Sequence, residues 1–297
     1  MAYEAGRGQI PVIVRVVGVL LFAWIAIAVT LSQWQMAPTF DEQNHVTRGI
    51  AILRTGDYRL CYHHPPLANI LEGLPVAWDR QTRFIQDPSW WQYRPNDPRS
   101  LSIWDAAYAT IWQHSTDGVR LIRHARLPVL LFTLVLAVLV FLWSAELFGP
   151  WGGVFSLAFF ALDPTVLAHS GLATTDMAAA CTIVLAVYLL RRFIQHPSTS
   201  RMLWAGIGVG LALAVKFTGL ILVPICGLIL LDYVLRLPRP AEGLAARWAI
   251  LPMAQRICRV IGVSLLILVI GGIVLWGVYG FRIEALGSKP GMPVAAS

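Results

Sequence analysis

The chain repeatedly runs for close to twenty residues almost without charge, and an α-helix needs about 20 apolar residues to cross a bilayer. Such runs cover 12–31, 128–147, 153–170, 177–194 and 260–281. Inside a membrane every backbone N–H and C=O has to find its partner within the protein, so these runs are expected to be helices. The stretch 203–235 is also almost wholly apolar, and as one helix it would reach roughly 50 Å against about 30 Å of hydrocarbon. Charge decides how to divide it. Arg191, Arg192 and Arg201 precede it, and Arg236, Arg239, Arg247, Arg256 and Arg259 follow it. Short loops rich in Lys and Arg face the cytoplasm, so an even number of spans should separate the two clusters. The expectation is two short helices, 203–215 and 218–235, meeting at Lys216-Phe217-Thr218-Gly219 on the outer side.

The predicted fold class is therefore an all-α integral membrane protein, a multi-pass bundle of about seven transmembrane helices. Its N-terminus is cytoplasmic and its C-terminus outside. Composition agrees, with 57% hydrophobic and 13% charged residues, where soluble domains carry about 25% charged. The formal net charge of +7 belongs to basic residues beside the apolar runs. It is read as membrane orientation and not as a nucleic-acid surface. Ala26-Ile27-Ala28 has the look of a signal-peptide cleavage site. The apolar run continues past it and more spans follow, so an uncleaved anchor is expected. Cys61, Cys181, Cys226 and Cys258 have neither metal-knuckle nor disulfide spacing and read as free thiols.

The polar stretch 32–127 is the first extracytoplasmic loop and the one segment long enough for structure outside the membrane. Thr39-Phe40-Asp41-Glu42 fits a capping box, with Thr39 as N-cap and Glu42 three residues on. The helix it opens places Val46, Ile50 and Leu53 on one face and Arg48 on another, the pattern of an amphipathic helix lying on the membrane surface. Gly56-Asp57 ends it. After His63-His64-Pro65-Pro66, Leu67, Ile70, Leu71 and Leu74 have helical spacing. Trp90, Trp91, Tyr93, Trp104, Tyr108 and Trp112 suit an interfacial belt or a sugar platform.

Four positions stand out chemically. Asp41 and Glu42 form an acidic pair just beyond the first span, although acids in a first turn also serve a helix dipole. Asp176, in Ala173-Thr174-Thr175-Asp176, is a second acid at the same face, and it too could simply serve the next helix. Acids at such depth are costly and commonly functional. Lys216 lies between apolar segments, either snorkelling to the headgroups or contacting a phosphate. His63 and His64 are adjacent, point differently and lack a third metal ligand, so no metal site is expected.

The ordered motifs resemble a known family. Phe40-Asp41-Glu42-Gln43-Asn44-His45, Leu53-Arg54-Thr55-Gly56-Asp57-Tyr58 and His64-Pro65-Pro66-Leu67 resemble the first outer loop of GT-C membrane glycosyltransferases. The nearest branch is that of the protein O-mannosyltransferases and aminoarabinose transferases. Ala125-Arg126-Leu127-Pro128, Leu147-Phe148-Gly149, Asp163-Pro164, Ala168-His169, Thr174-Thr175-Asp176 and Leu211-Ala212-Leu213-Ala214-Val215-Lys216-Phe217 follow in the family's order. The resemblance implies a single GT-C-type transmembrane domain over 1–297, a polyprenyl-phosphate sugar donor, and a protein, lipid or glycan acceptor. It implies a site on the extracytoplasmic face of a cell (inner) membrane. Asp41 takes the place of the family's catalytic base, Glu42 helps position a substrate, Asp176 matches the acid of the second outer loop, and His64 stands before the Pro-Pro.

On that reading a carboxylate takes the acceptor's hydroxyl proton while the oxygen attacks the anomeric carbon, with inversion. The leaving lipid phosphate needs cations. Lys216 is the first choice, then Arg126, then Arg282. No cofactor is expected, and a divalent metal is the alternative source of charge. Relatives usually have more spans, so 282–297 reads as the start of a further outer loop in a chain cut short. The alternatives are a non-enzymatic transporter or flippase, and an inactive truncated homologue. Transporters often carry inverted repeats, and none is visible here.

Overall fold

A computed structural model describes residues 11–61, 63–85, 103–236, 244 and 250–282. Among the described residues there are helices and turns and no strand. Among the described residues four helical stretches are long and apolar enough to cross a membrane: Val12–Gln35, Gly118–Leu162, Thr175–Gln195 and Met253–Val278. They support an integral membrane protein. The chain divides into two compact units, one reaching to Ala178 and the other covering Ala179–Arg282. Trp90, Trp91, Tyr93 and residues 283–297 lie outside the described residues.

The first unit opens with α1 (Val12–Gln35), α2 (Glu42–Thr55) and α3 (Leu67–Gly73). Next come α4 (Ile103–Tyr108), a π-helical turn (Ala109–His114), α5 (Gly118–Ala125), α6 (Leu127–Leu162) and α7 (Pro164–Ser170). Ile25 and Val29 of α1 pack on Ala137, Leu157 and Ala161 of α6, and the Trp24 indole N–H donates to the Ala161 carbonyl at 3.2 Å. The opposite side of α1 leaves Val16, Val19, Leu20 and Ile27 exposed, as suits a lipid-facing side.

The two runs expected at 128–147 and 153–170 differ in the structure. Both fall within or beyond α6, which is interrupted at Gly149 (φ 80°, ψ 175°) just before Pro150. The left-handed φ suits glycine, and proline removes a donor and restricts the residue before it. The run 153–170 is not one helix. Asp163 is extended (ψ 119°) before Pro164, and its carboxylate accepts from the Val166 N–H at 2.9 Å, starting α7 afresh.

α2, which the sequence pattern predicts as an amphipathic helix on the membrane surface, is instead buried on nearly every side, Arg48 and Thr47 included. Its crossing with α3 has no slack. A Cβ on Gly49 would lie 1.9 Å from the Asn69 carbonyl oxygen and 2.9 Å from the Gly73 Cα. The helix also starts later than the capping box predicts, at Glu42, with Asp41 as N-cap. The box survives by half: Glu42 reaches back to the Thr39 N–H at 2.7 Å.

The second unit contains most of α8 (Thr175–Gln195), then α9 (Thr199–Val215), a 3₁₀ turn (Phe217–Ile221), α10 (Leu222–Arg236) and α11 (Met253–Val278). The apolar stretch 203–235 does break at Lys216, which is extended (φ −152°, ψ 143°). Gly219 permits the break: a Cβ there would lie 2.5 Å from the Ala212 carbonyl oxygen. Gly206 and Gly210 form a small-xxx-small face on which α11 packs, a Cβ on Gly210 lying 2.7 Å from the Gly271 carbonyl oxygen. Cys61, Cys181 and Cys226 are buried, Cys258 is exposed, and all four are free thiols.

Gly49→Ala should lower the unfolding temperature in detergent, by roughly 1–3 kcal/mol of overpacking, because backbone has to give way. Gly227→Ala, where nothing lies within 4 Å, should be neutral or stabilising. Equal effects of the two substitutions would contradict the α2–α3 contact as described.

Candidate active site

The candidate site grows from the end of α1 and the start of α2. Arg126 stands between α5 and α6, wholly buried, and its guanidinium donates every N–H it has. Nε gives to Glu42 Oε1 at 2.7 Å, and Nη2 to Glu42 Oε2 at 2.8 Å. Nη1 gives to the carbonyls of Gln33 (2.6 Å) and Met36 (3.0 Å), and Nη2 also to that of Ala37 (3.1 Å). A planar fork with five donors suits such a cage, which a lysine with three could not fill.

Glu42 is equally engaged. Its Oε1 also accepts from the Ala173 N–H at 2.8 Å, and Oε2 from the Thr39 N–H and hydroxyl at 2.7 and 3.1 Å. Burial by itself pushes its carboxyl up. The bonds from Arg126, Thr39 and Ala173 and the Arg126 charge outweigh that and bring it below its ordinary value. Glu42 is thus an ionised and fully occupied carboxylate. Gln33, near the end of α1, braces the same junction by donating to the carbonyls of Arg126 and Ser170, both at 3.0 Å.

Asp41 is placed differently. It is exposed, its backbone carbonyl accepts from the Asn44 and His45 N–H groups at 3.0 and 3.3 Å, and its side chain makes no capping bond. Phe40 beside it is stacked on Trp104 with ring centroids 4.4 Å apart. The Trp112 indole N–H donates to Gln43 Oε1 one turn further along. Asp176 opens α8 half-exposed, with His169 Nδ1 3.5 Å from its carboxylate.

Behind these residues lies a buried polar layer. His45 Nδ1 is 2.9 Å from Asn69 Oδ1, and Asn69 Nδ2 is 3.7 Å from Cys61 Sγ. Burial, helped by the Arg48 and His64 charges, lowers the His45 imidazole to about 4 against the pull of Asn69 and Asp41, so it is neutral at pH 7. Glu72 of α3 is buried as well, and burial raises its carboxyl well above the ordinary value, with Glu42 and Asp176 adding to the rise and Arg48 opposing it. His64 is half-buried at the turn before α3.

The structure therefore gathers Asp41, Glu42, Arg126, His64 and Asp176 in the first unit. Lys216, half-buried at the end of α9, and Arg282, exposed just past α11, belong to the second. Arg126 has no N–H left for a phosphate, because all five go to the Glu42 carboxylate and to the carbonyls of Gln33, Met36 and Ala37. Gln33, His45, Asn69 and Glu72 were not singled out from the sequence. The readable signal for Glu72 was an acid inside the short apolar element that follows Pro-Pro. Among the described residues no three His, Cys, Asp or Glu side chains are grouped to hold a metal ion.

Arg126→Met should cost the protein about 3–5 kcal/mol, since it leaves a buried carboxylate without its cation. Equilibrium unfolding in mixed micelles would measure it. The Glu42 contribution has a definite sign. Its folded carboxyl sits below the unfolded value of 4.5, so its stabilisation is complete above that pH and is lost as pH falls through the folded value. Glu42→Gln should flatten that acid limb.

No curated protein matches the chain. Residues 118–261 match the family model described as dolichyl-phosphate-mannose-protein mannosyltransferase. The matched segment contains Arg126, Asp176 and Lys216, while Asp41 and Glu42 precede it. The matched stretch covers a little under half of the chain, and over it the chain is similar to that mannosyltransferase family.

Proposed function

We propose that this protein transfers a sugar from a polyprenyl-phosphate donor, of the dolichyl-phosphate type, to an acceptor hydroxyl at the extracytoplasmic membrane face. The observation that carries the reading is the contrast between two adjacent acids. Glu42 is ionised, buried and locked by Arg126, whereas Asp41 is exposed at the mouth of the same helix. A general base has to reach the proton that it abstracts. Asp41 meets that condition, and Glu42 serves by holding the start of α2 in place.

In the proposed step Asp41 takes the acceptor's hydroxyl proton. The acceptor oxygen forms its bond to the anomeric carbon as the bond to the phosphate oxygen breaks, and the configuration inverts. The polyprenyl phosphate leaves with the electron pair, its charge met by basic side chains. Lys216 is the first candidate, then Arg282, with Arg126 occupied elsewhere. Asp176 and His64 are further candidates for the same outer face. The acceptor is a protein, lipid or glycan hydroxyl. About seven spans, a cytoplasmic N-terminus and an inner-membrane location complete the proposal.

Asp41→Asn should reduce transfer from a polyprenyl-phosphate sugar about 10²- to 10⁴-fold while expression and unfolding temperature hold. The assay is release of labelled sugar in detergent, where no gradient exists, so a transporter would score zero. Undiminished transfer by Asp41→Asn would remove Asp41 from the role. Lys216→Ala should raise the KM for the donor more than it lowers kcat.

A further inference from the structure

Glu72 is a buried acid of this layer that none of the roles above uses. It is 1% exposed, and neither carboxyl oxygen has a hydrogen-bond partner among the described residues. Its helix cannot shift to relieve it, because Gly73, the next residue, lies against the Gly49 backbone so closely that a Cβ there would sit 2.6 Å from the Gly49 carbonyl carbon. An acid left without a partner at such a place is costly, and such groups in native structures call for an explanation.

The surroundings indicate what that explanation is. From α2 come Glu42, Arg48 and, across Asn69, His45. From the start of α8 comes Asp176, and α6, which also packs on α3, opens on Arg126. Glu42 is ionised, and Arg126 offers its positive charge to it through two bonds of 2.7 and 2.8 Å. An ionised Glu72 would add negative charge beside Glu42, opposed by the Arg48 charge but with no hydrogen bond to either of its oxygens among the described residues. It would weaken Glu42's hold on Arg126 and with it the anchoring of the first turn of α2, where Asp41 stands.

We infer that Glu72 is a positioning residue of this site, kept as the neutral acid, whose loss of its proton sets the alkaline limit at which the Glu42–Arg126 clamp and Asp41 are held in place. It acts through Glu42 and touches no substrate. The activity arm of the test rests on the proposed glycosyl transfer; the stability arm does not.

The sign follows from burial. The folded carboxyl is raised above its unfolded value of 4.5, so folding takes up a proton between the two values, and stability falls as pH rises through that window. Glu72→Gln keeps the shape and abolishes the titration. In the full chain, reversible unfolding in mixed micelles from pH 5 to 9.5 should show the wild type losing stability relative to Glu72→Gln. The loss should approach a tenfold fall in the folding equilibrium constant per pH unit. The two curves should converge toward acid pH. Transfer measured over the same range should show the alkaline limb of Glu72→Gln displaced upward by about one pH unit or more.

Superimposable unfolding series for the two proteins would overturn the neutral acid. A displaced unfolding series with an unmoved transfer limb would overturn the positioning role. A wild type that transfers no sugar at any pH sinks the glycosyltransferase reading and the positioning role with it. The unfolding series then still decides the charge of Glu72.

Discussion

The Glu42–Arg126 pair is the interaction on which the first unit depends. Removing both charges from water is expensive, and only full hydrogen bonding makes such a pair tolerable. Here the bonding is full on both sides. The guanidinium satisfies three carbonyls at the end of α1, where the helix leaves its last carbonyls without intrahelical partners. The carboxylate takes the Ala173 N–H just before α8 and the Thr39 N–H before α2. One buried pair thus ties the end of α1, the start of α2, the α5–α6 junction and the approach to α8. Polar groups that would otherwise be orphaned at four chain segments are satisfied together.

That tie explains how two adjacent acids come to differ. Successive residues at a helix start point about 100° apart, given 3.6 residues per turn. With Glu42 drawn inward to Arg126, Asp41 is turned out. The close Gly49–Gly73 crossing then fixes α2 against α3, so the orientation passes from the ion pair to the rest of the loop. A polar helix buried on nearly all sides is unusual, and here its polar groups meet polar groups: His45 faces Asn69, and Gln43 receives the Trp112 N–H.

What was legible in the sequence followed the range of the forces involved. The apolar runs predicted membrane helices because burial in lipid is read residue by residue, and the break at Lys216-Gly219 showed in charge placement. The backward bond from Glu42 to Thr39 was readable because it spans three residues. Three things were not readable in this way. Asp163 breaks the expected helix 153–170 by local chemistry that the apolar pattern overrode. The surface placement of α2 failed because its polar residues have partners in distant segments. The cage of Arg126 lies about ninety residues away in sequence, so nothing near the arginine distinguished a structural fork from a phosphate ligand.

Glu42 and Glu72 make the same point about charge. Both are carboxyls buried almost completely in one unit, and burial raises both. They end on opposite sides of the ordinary value because of what surrounds the oxygens. Glu42 receives five hydrogen bonds, among them two from a cation; Glu72 receives none among the described residues. Desolvation is thus a common background, and the donors decide the protonation state. Arg126, with all its N–H groups engaged, has nothing left for a second carboxylate, so a charge on Glu72 would bear on Glu42 with the Arg48 charge alone set against it. The buried layer behind Asp41 is therefore a coupled arrangement, in which the proton on Glu72 and the ion pair at Glu42 support one another.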